Sequence, residues 1–298
     1  MGFVRKKFLV DEKIKAYQFL INTFCCTMRQ AQKWIDKKRV FVHSEIMTTK
    51  SAKISGVVEV IIFVPKPRGL LPIFETEEFA IFEKPSGVLI HPNGFSDQYS
   101  LNDDIKFLYG EDANVAHRID KETSGLVLVS KNKEVEVVLK LMFEARKIQK
   151  EYIAIVEGKL DHDLVIDADL KSNLETSIIR LKSFVVPSGH HAITHVFPLF
   201  YNETTNQTLI KVRPITGRTH QIRVHMFHVK HRIVGDPIYG LEEEVVERYL
   251  RGLLSDKERL VQSGADRLML HAHRLSFNYK DMEYNVASKI KLGGFEYE

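Results

Sequence analysis

The sequence predicts an α+β protein in two parts: a mixed, mainly antiparallel sheet domain, preceded by a small domain of two helices and a β-hairpin. Three observations lead there. From residue 71 onward, short apolar runs are bounded by Gly, Pro and Ser turns with few helical stretches between them. That pattern favours antiparallel strands over a doubly wound sheet. Between residues 12 and 35 the apolar positions instead recur every three or four residues, the period of a helix face. Between these regions stands Pro65-Lys66-Pro67-Arg68-Gly69, whose two prolines and glycine make a stiff connector. The predicted domains are residues 1–64 and 71–298, with a linker at 65–70.

Taken in order, Tyr17, Leu20, Ile21, Phe24, Met28, Ala31 and Ile35 form the first helical stripe. Thr27 is placed to cap a second helix at Met28, so the stripe divides into a helical pair. Lys37-Lys38-Arg39 closes the pair, which suits the negative end of a helix. Strands are predicted over 40–42 and 57–64, with His43-Ser44-Glu45 as the turn. Beyond the linker, strands are predicted at 79–82, 88–90, 126–129, 152–156, 208–213, 268–272 and 275–277. Lys84-Pro85-Ser86-Gly87 reads as a turn, and Asn132 caps a helix over 133–147. Residues 159–190 read as polar hairpins and loops. Residues 216–231 read as a turn entering a helix capped by Thr219, and 241–262 as a charged surface helix.

Composition narrows the function classes. The chain has 298 residues, long enough to bury a large core. Its apolar run at 57–64 is broken by Glu59 and falls far short of the roughly 20 residues of a membrane span. The two cysteines, Cys25 and Cys26, are neighbours, which is poor disulfide geometry, so a reducing cytoplasmic setting is expected. Residues 1–70 hold 14 Lys and Arg against 5 Asp and Glu, whereas residues 71–298 hold 29 against 34. A basic module on a mildly acidic body points to a polyanionic partner.

Four segments can carry chemistry. His117-Arg118-Ile119-Asp120-Lys121-Glu122-Thr123-Ser124-Gly125 places a carboxylate in a basic polar loop beside the apolar run 126–129. Arg118 and Lys121 favour the ionised form of Asp120, which can then act as nucleophile, base or electrostatic stabiliser. In Thr216-Gly217-Arg218-Thr219-His220-Gln221-Ile222-Arg223, the two arginines are five apart. One can face a phosphate while the other turns inward to a carboxylate. Tyr152 opens a strand and offers a flat ring to a base. His225, His228 and His231 form a loose stripe, but neither H-E-x-x-H nor a carboxylate at metal-site spacing accompanies them, so they are read as lining a polar or RNA-facing surface and no metal is expected.

Together and in this order the motifs resemble the RluA-type family of RNA pseudouridine synthases. The family pattern K-P-x-G, H-R-L-D-x-x-T-S-G-L, K-x-Y-x-A-x-V-x-G, T-G-R-x-H-Q-I-R and L-H-A is matched here. The matching residues are Lys84 to Gly87, His117 to Leu126 (with Ile119 for Leu), Lys150 to Gly158, Thr216 to Arg223, and Leu270-His271-Ala272. Val234-Gly235-Asp236-Pro237-Ile238-Tyr239-Gly240 matches a further family segment. Residues 12–64 are similar to the small RNA-binding domain shared with ribosomal protein four of the small subunit and with tyrosyl-tRNA synthetases. The likeness lies in Met28 to Ile35 and Arg39 to Val42. Lys38 stands at that domain's usual glycine, and His43-Ser44 at its usual Asn-Gly turn.

The resemblance implies isomerisation of uridine to pseudouridine in RNA, with no cofactor and no obligatory metal. Asp120 would be the essential carboxylate, paired with Arg223 and less readily with Arg218. Tyr152 would stack on the uracil and assist deprotonation at carbon 5. Arg118 would help flip the nucleotide, Ile222 would pack on the base, and His117, Arg218 and Thr123 would complete the substrate site. Large-subunit ribosomal RNA is the first expected substrate and tRNA the second; the chain is expected to be a monomer. Two rival readings are a catalytically inactive RNA-binding protein and a glycoside hydrolase using Asp120 with Glu122.

Overall fold

The computed structural model describes residues 3–92, 98–172, 179 and 182–294. They form two compact units: residues 1–68 with 91–107, and residues 69–90 with 108–298.

The first unit opens with a strand that the residue pattern does not predict, β1 (Phe3–Lys15), followed by α1 (Ala16–Phe24) and α2 (Met28–Asp36). The strand takes residues 12–15, which the helical stripe had claimed. Thr27 caps α2 as predicted: its hydroxyl accepts from Gln30 N while Gln30 Oε1 accepts from Thr27 N, a reciprocal capping box. Then come β2 (Val40–Val42), β3 (Glu45–Ile46) and β4 (Lys53–Phe63). The sheet order is β1-β4-β2-β3, and β1 pairs antiparallel with β4 from Phe3↔Phe63 to Lys15↔Lys53. Ala16, Leu20, Ala31, Ile35, Val40, Val58 and Val60 are buried together between the helices and this sheet. Lys38, His43 and Ser44 all adopt positive φ, so the backbone keeps left-handed turns without glycine or asparagine. The connector is pinned: Asp103 and Asp104 in α3 (Leu101–Tyr109) accept hydrogen bonds from Lys66 N and Arg68 N, each at 2.9 Å.

The second unit contains β5 (Pro72–Glu75), β6 (Phe79–Lys84), β7 (Asn114–Val115), β8 (Ser124–Ser130), α4 (Lys133–Glu144) and β9 (Gln149–Glu157). There follow β10 (Leu164–Asp167), β11 (Leu170–Ser172), β12 (Ser183–Val185), β13 (Ile193–Asn202) and β14 (Gln207–Pro214). The chain continues through α5 (Gln221–His228), α6 (Glu243–Leu250), α7 (Asp256–Ser263), β15 (Leu270–Tyr279) and β16 (Met282–Ala287). Among the described residues the main sheet runs β10-β13-β14-β9-β15-β8-β6-β5, with β16 on β15 and β7 on β8. Every pairing in it is antiparallel except β15 with β8. The class is therefore α+β, as the turn-bounded runs required.

Asn132 caps α4, which packs Val135, Leu139 and Met142 against Phe79, Ile81, Leu126 and Leu128. Residues 88–90 hold no strand, and β13 was not foreseen. The predicted helix at 241–262 is broken at Gly252 (φ +70°) and restarts at the Ser255 cap, giving α6 and α7. Of the predicted hairpins in 159–190, β11 and β12 pair with each other, while residues 173–178 and 180–181 lie outside the described residues.

The parallel pairing of β15 with β8 fixes the end of the Asp120 loop. Gly125 faces Ala272 at φ +111°, and a Cβ there would lie 2.3 Å from the Ala272 carbonyl oxygen. Gly125→Ala is expected to destabilise the fold by about 3 kcal/mol, combining backbone strain with a forced separation of β8 and β15. Urea unfolding checks it; an unchanged midpoint would mean the two strands can part freely.

Candidate active site

The loop from 117 to 124 enters β8 and is held from two sides. From the end of β6, Lys84 buries its ammonium and donates to the carbonyls of Pro85, Val88 and Lys121 at 2.8, 2.8 and 3.0 Å. Burial lowers its pKa to about 7 against the opposing pull of Glu122 and Asp120. Ser86 Oγ donates to the Glu122 carbonyl and Gly87 N to that of Lys121. At the strand end, Arg267 donates to Ser124 Oγ at 3.1 Å, and Ser124 contacts His271 Nδ1 at 2.8 Å. His271 Nε2 in turn contacts Ser288 Oγ at 2.9 Å, so both ring nitrogens are engaged by hydroxyls. Burial, which lowers the His271 pKa to about 3, keeps that imidazole neutral.

Asp120 sits in this loop, half-buried, and its Oδ2 accepts from Arg223 Nη1 at 3.2 Å. Arg223 projects from α5 with a side chain 2% exposed. Its Nε and Nη2 form a fork onto Asp236 Oδ2 and Oδ1, both at 2.8 Å, leaving Nη1 for Asp120. The Tyr239 ring lies 5.2 Å from the guanidinium carbon. Asp236 also accepts from Ile238 N and Tyr239 N. Burial alone would raise the Asp236 carboxyl, but the Arg223 charge and these hydrogen bonds bring it below its ordinary value. Burial likewise opposes the Arg223 charge, and Asp236, then Asp120, more than restore it. The chain thus holds a fixed cation against Asp120, oriented by a second carboxylate.

The α5 entry differs from prediction. Thr219 makes no cap; His220 is the N-cap residue, in a left-handed conformation at φ 57°. Gln221 takes over the loose polar groups: its Oε1 accepts from Thr216 Oγ1 and Arg218 N, and its Nε2 donates to Ile193 O and Thr194 Oγ1. Tyr239 Oη accepts from Ser183 N and shares a hydrogen bond with His220 Nδ1 at 3.0 Å. His220 Nε2 then stands 3.9 Å from Asp120 Oδ2, and burial lowers the imidazole pKa, keeping it neutral.

Tyr152 enters β9 paired with Val212 on one side and Ala272 on the other, 8% exposed. Burial, then the Asp120 charge, push its phenol well up, so it remains protonated. Ile222 and Thr123 are buried, and Arg118 is exposed. Arg218 is exposed too, its Nε donating to His191 O at 3.2 Å, so Arg223 is the arginine that turns inward. His117 is occupied by the scaffold: Nε2 accepts from Leu128 N at 3.1 Å, the ring lies 4.5 Å from that of Phe143, and burial lowers its pKa to about 3.

The histidine stripe dissolves. His225 is buried, hydrogen-bonded to Thr194 Oγ1 and to Ala168 O, while His231 contacts Glu157 O. Among the described residues no group of His, Cys, Asp and Glu is arranged to hold a metal. Nor is any helix among them long and apolar enough to cross a membrane. Sequence reasoning missed Asp236 and Tyr239, although they lie in a segment it had marked, and it missed Arg259, which pairs with Glu122 at 2.7 Å.

Residues 78–228 match the family model described as RNA pseudouridylate synthase. An uncharacterized RNA pseudouridine synthase of Helicobacter pylori strain J99 is 36% identical over 97% of this chain and 97% of that protein. The ribosomal large subunit pseudouridine synthase C of Buchnera aphidicola is 33% identical over 72% of this chain and 64% of its own length. The solved structure of human RNA pseudouridylate synthase domain containing 1 has the same fold, with a TM-score of 0.58 at 22% identity over 76% of this chain and 86% of that one. The chain belongs to the RNA pseudouridylate synthase family, and it is an RNA pseudouridine synthase.

Proposed function

We propose that Asp120 carries the isomerisation, that Arg223 is its charge partner, and that Tyr152 packs on the flipped uracil. The observation behind this is the Asp120–Arg223–Asp236 array, in which one buried guanidinium holds a loop carboxylate in fixed position. In the reaction the N1–C1′ bond of uridine breaks and a C5–C1′ bond forms. Carbon 5 gives up its proton and N1 takes one up. Asp120 starts either by attacking carbon 1′ or by removing a proton from carbon 2′; both routes need the carboxylate at one edge of the ribose. A protonated Tyr152 supplies a neutral ring for the base, and Ile222 an apolar wall. Exposed Arg118 and Arg218 are assigned to the RNA backbone and to nucleotide flipping, and buried Thr123 to the wall of the site. For His117 we propose a positioning role, since its ring nitrogen already serves β8.

The substrate we favour is large-subunit ribosomal RNA. The name of the Buchnera relative supports it, and so does the basic excess of residues 1–64, to which we assign the RNA grip of the ribosomal-protein-like domain. Exposed Lys33, Lys37 and Lys38 crowd one end of α2, and the Lys37 pKa is lowered by burial and then by Arg39 and Lys33. Replacing these three lysines by Gln is expected to flatten the slope of log affinity against log salt by roughly 2, since each phosphate no longer neutralised removes about 0.7–0.9. Filter binding from about 50 to 300 mM salt measures it. An unchanged slope would remove this domain from the phosphate interface. Nucleotide-resolution pseudouridine mapping in cells with and without the protein tests the substrate; a lost tRNA site with intact ribosomal RNA would move the assignment to tRNA.

A further inference from the structure

We infer that α7 braces the catalytic loop through the buried Glu122–Arg259 ion pair, which makes Arg259 a positioning residue for Asp120. The inference rests on the role proposed for Asp120.

Residues 242–263 carry six acidic and four basic side chains, a poor surface for holding phosphate. Two of those cations are spent within the excursion, Arg248 on Glu258 and Arg251 on Glu247. Arg259 turns the other way. Its Nη2 lies 2.7 Å from Glu122 Oε2, with the two side chains 14% and 7% exposed. Glu122 follows Asp120 by two residues, and its carbonyl is already tied to Ser86. Tyr249 of α6 lies 5.4 Å from the Arg259 guanidinium carbon, and burial, then the Glu122 charge, push its phenol up, so both helices of the excursion come close to Glu122.

The other end of α7 reaches the opposite partner. Ser263 O accepts from Gly235 N at 2.8 Å, immediately before Asp236, the carboxylate that orients Arg223. Gly235 leaves no room to relax, because a Cβ there would lie 1.8 Å from Arg267 O. One two-turn helix therefore touches the chain two residues from Asp120 and one residue from Asp236, the carboxylate that orients Arg223. A carboxylate held this way keeps a geometry whose loss by about 1 Å can slow a reaction 100-fold.

The test is single-turnover pseudouridine formation by the full-length protein, with total RNA from cells lacking it as substrate. Saturating enzyme gives the rate constant, and the half-saturating enzyme concentration reports RNA binding. Arg259→Gln is expected to lower the rate constant by roughly 10- to 100-fold with half-saturation nearly unchanged. Arg259→Lys, which keeps the ion pair, should recover most of the rate and carries the test if the Gln variant does not fold. Adding Glu122→Gln to Arg259→Gln should cost little further, because both remove one interaction. A wild-type rate in Arg259→Gln overturns the inference. So does a shift confined to half-saturation, which would make α7 an RNA-binding element. So do fully additive losses. Asp120→Asn in the same assay separates the two levels: if it keeps the wild-type rate, the role given to Asp120 fails, whatever Arg259 does.

Discussion

Asp120→Asn is expected to abolish pseudouridine formation, a loss of roughly four orders of magnitude or more, while RNA binding stays near wild type. Losses of that order follow when a group acting at the reacting atoms is removed. The substitution is nearly isosteric, and the Asn carbonyl can still accept from Arg223 Nη1, so the loop keeps its form. What disappears is the charge able to attack carbon 1′ or take a proton from carbon 2′. Mapping RNA from cells carrying the variant, the wild type or neither gives the result in one experiment. A site present with Asp120→Asn but absent without the protein would mean that another group does the chemistry. The same experiment bears on the rivals. A binding-only protein would show no difference between Asp120→Asn and wild type. A hydrolase would release uracil or sugar, and its required second carboxylate, Glu122, is already engaged by Arg259.

What could be read from the chain depended on the range of the interaction. The helical pair of the first unit was legible because stripe and cap are local: α2 starts at Thr27, where the hydroxyl and Gln30 complete the box. The strand β1 was not. Its outward positions include Arg5, Lys7 and Leu9, the last 74% exposed, so apolar and polar residues do not alternate by face. Lys38, His43 and Ser44 hid the turn geometry more subtly, since each takes a positive φ that glycine or asparagine usually marks. The late helix was misread as one element because its charge pattern runs on through Gly252. In the site, the spacing of Arg218 and Arg223 showed only that one of the two could turn inward, and the choice of Arg223, like that of Asp120, came from the motif resemblance. The fork from Arg223 to Asp236 depends on how α5 meets the segment before Tyr239, and no residue spacing encodes that. Arg259 is 137 residues from Glu122, and it was concealed inside a stretch whose composition describes a solvated surface.

Arg223→Met is expected to damage stability and catalysis together. It leaves Asp236, 1% exposed, without its cation. Breaking a buried pair from one side destabilises by roughly 3–5 kcal/mol, because the remaining charge has neither water nor partner. Asp120 loses its fixed donor at the same time, so activity should fall even at temperatures where the variant is folded. The pH dependence separates this account from simple loss of packing. In the wild type the folded Asp236 pKa lies below its unfolded value, so its contribution is present above the unfolded pKa of about 4 and is lost as pH falls through the folded one. Without Arg223, burial dominates and raises the folded pKa. The sign then reverses: the variant gains stability as pH drops toward the raised value, where the carboxyl becomes neutral. The gap in melting temperature between wild type and Arg223→Met should therefore narrow from neutral pH to about pH 5. A gap constant over that range would assign the damage to poorer packing around Tyr239 instead of to an unpaired carboxylate. Asp236→Asn added to Arg223→Met removes the buried charge and should restore part of the stability without restoring activity, because Asp120 still lacks its guanidinium.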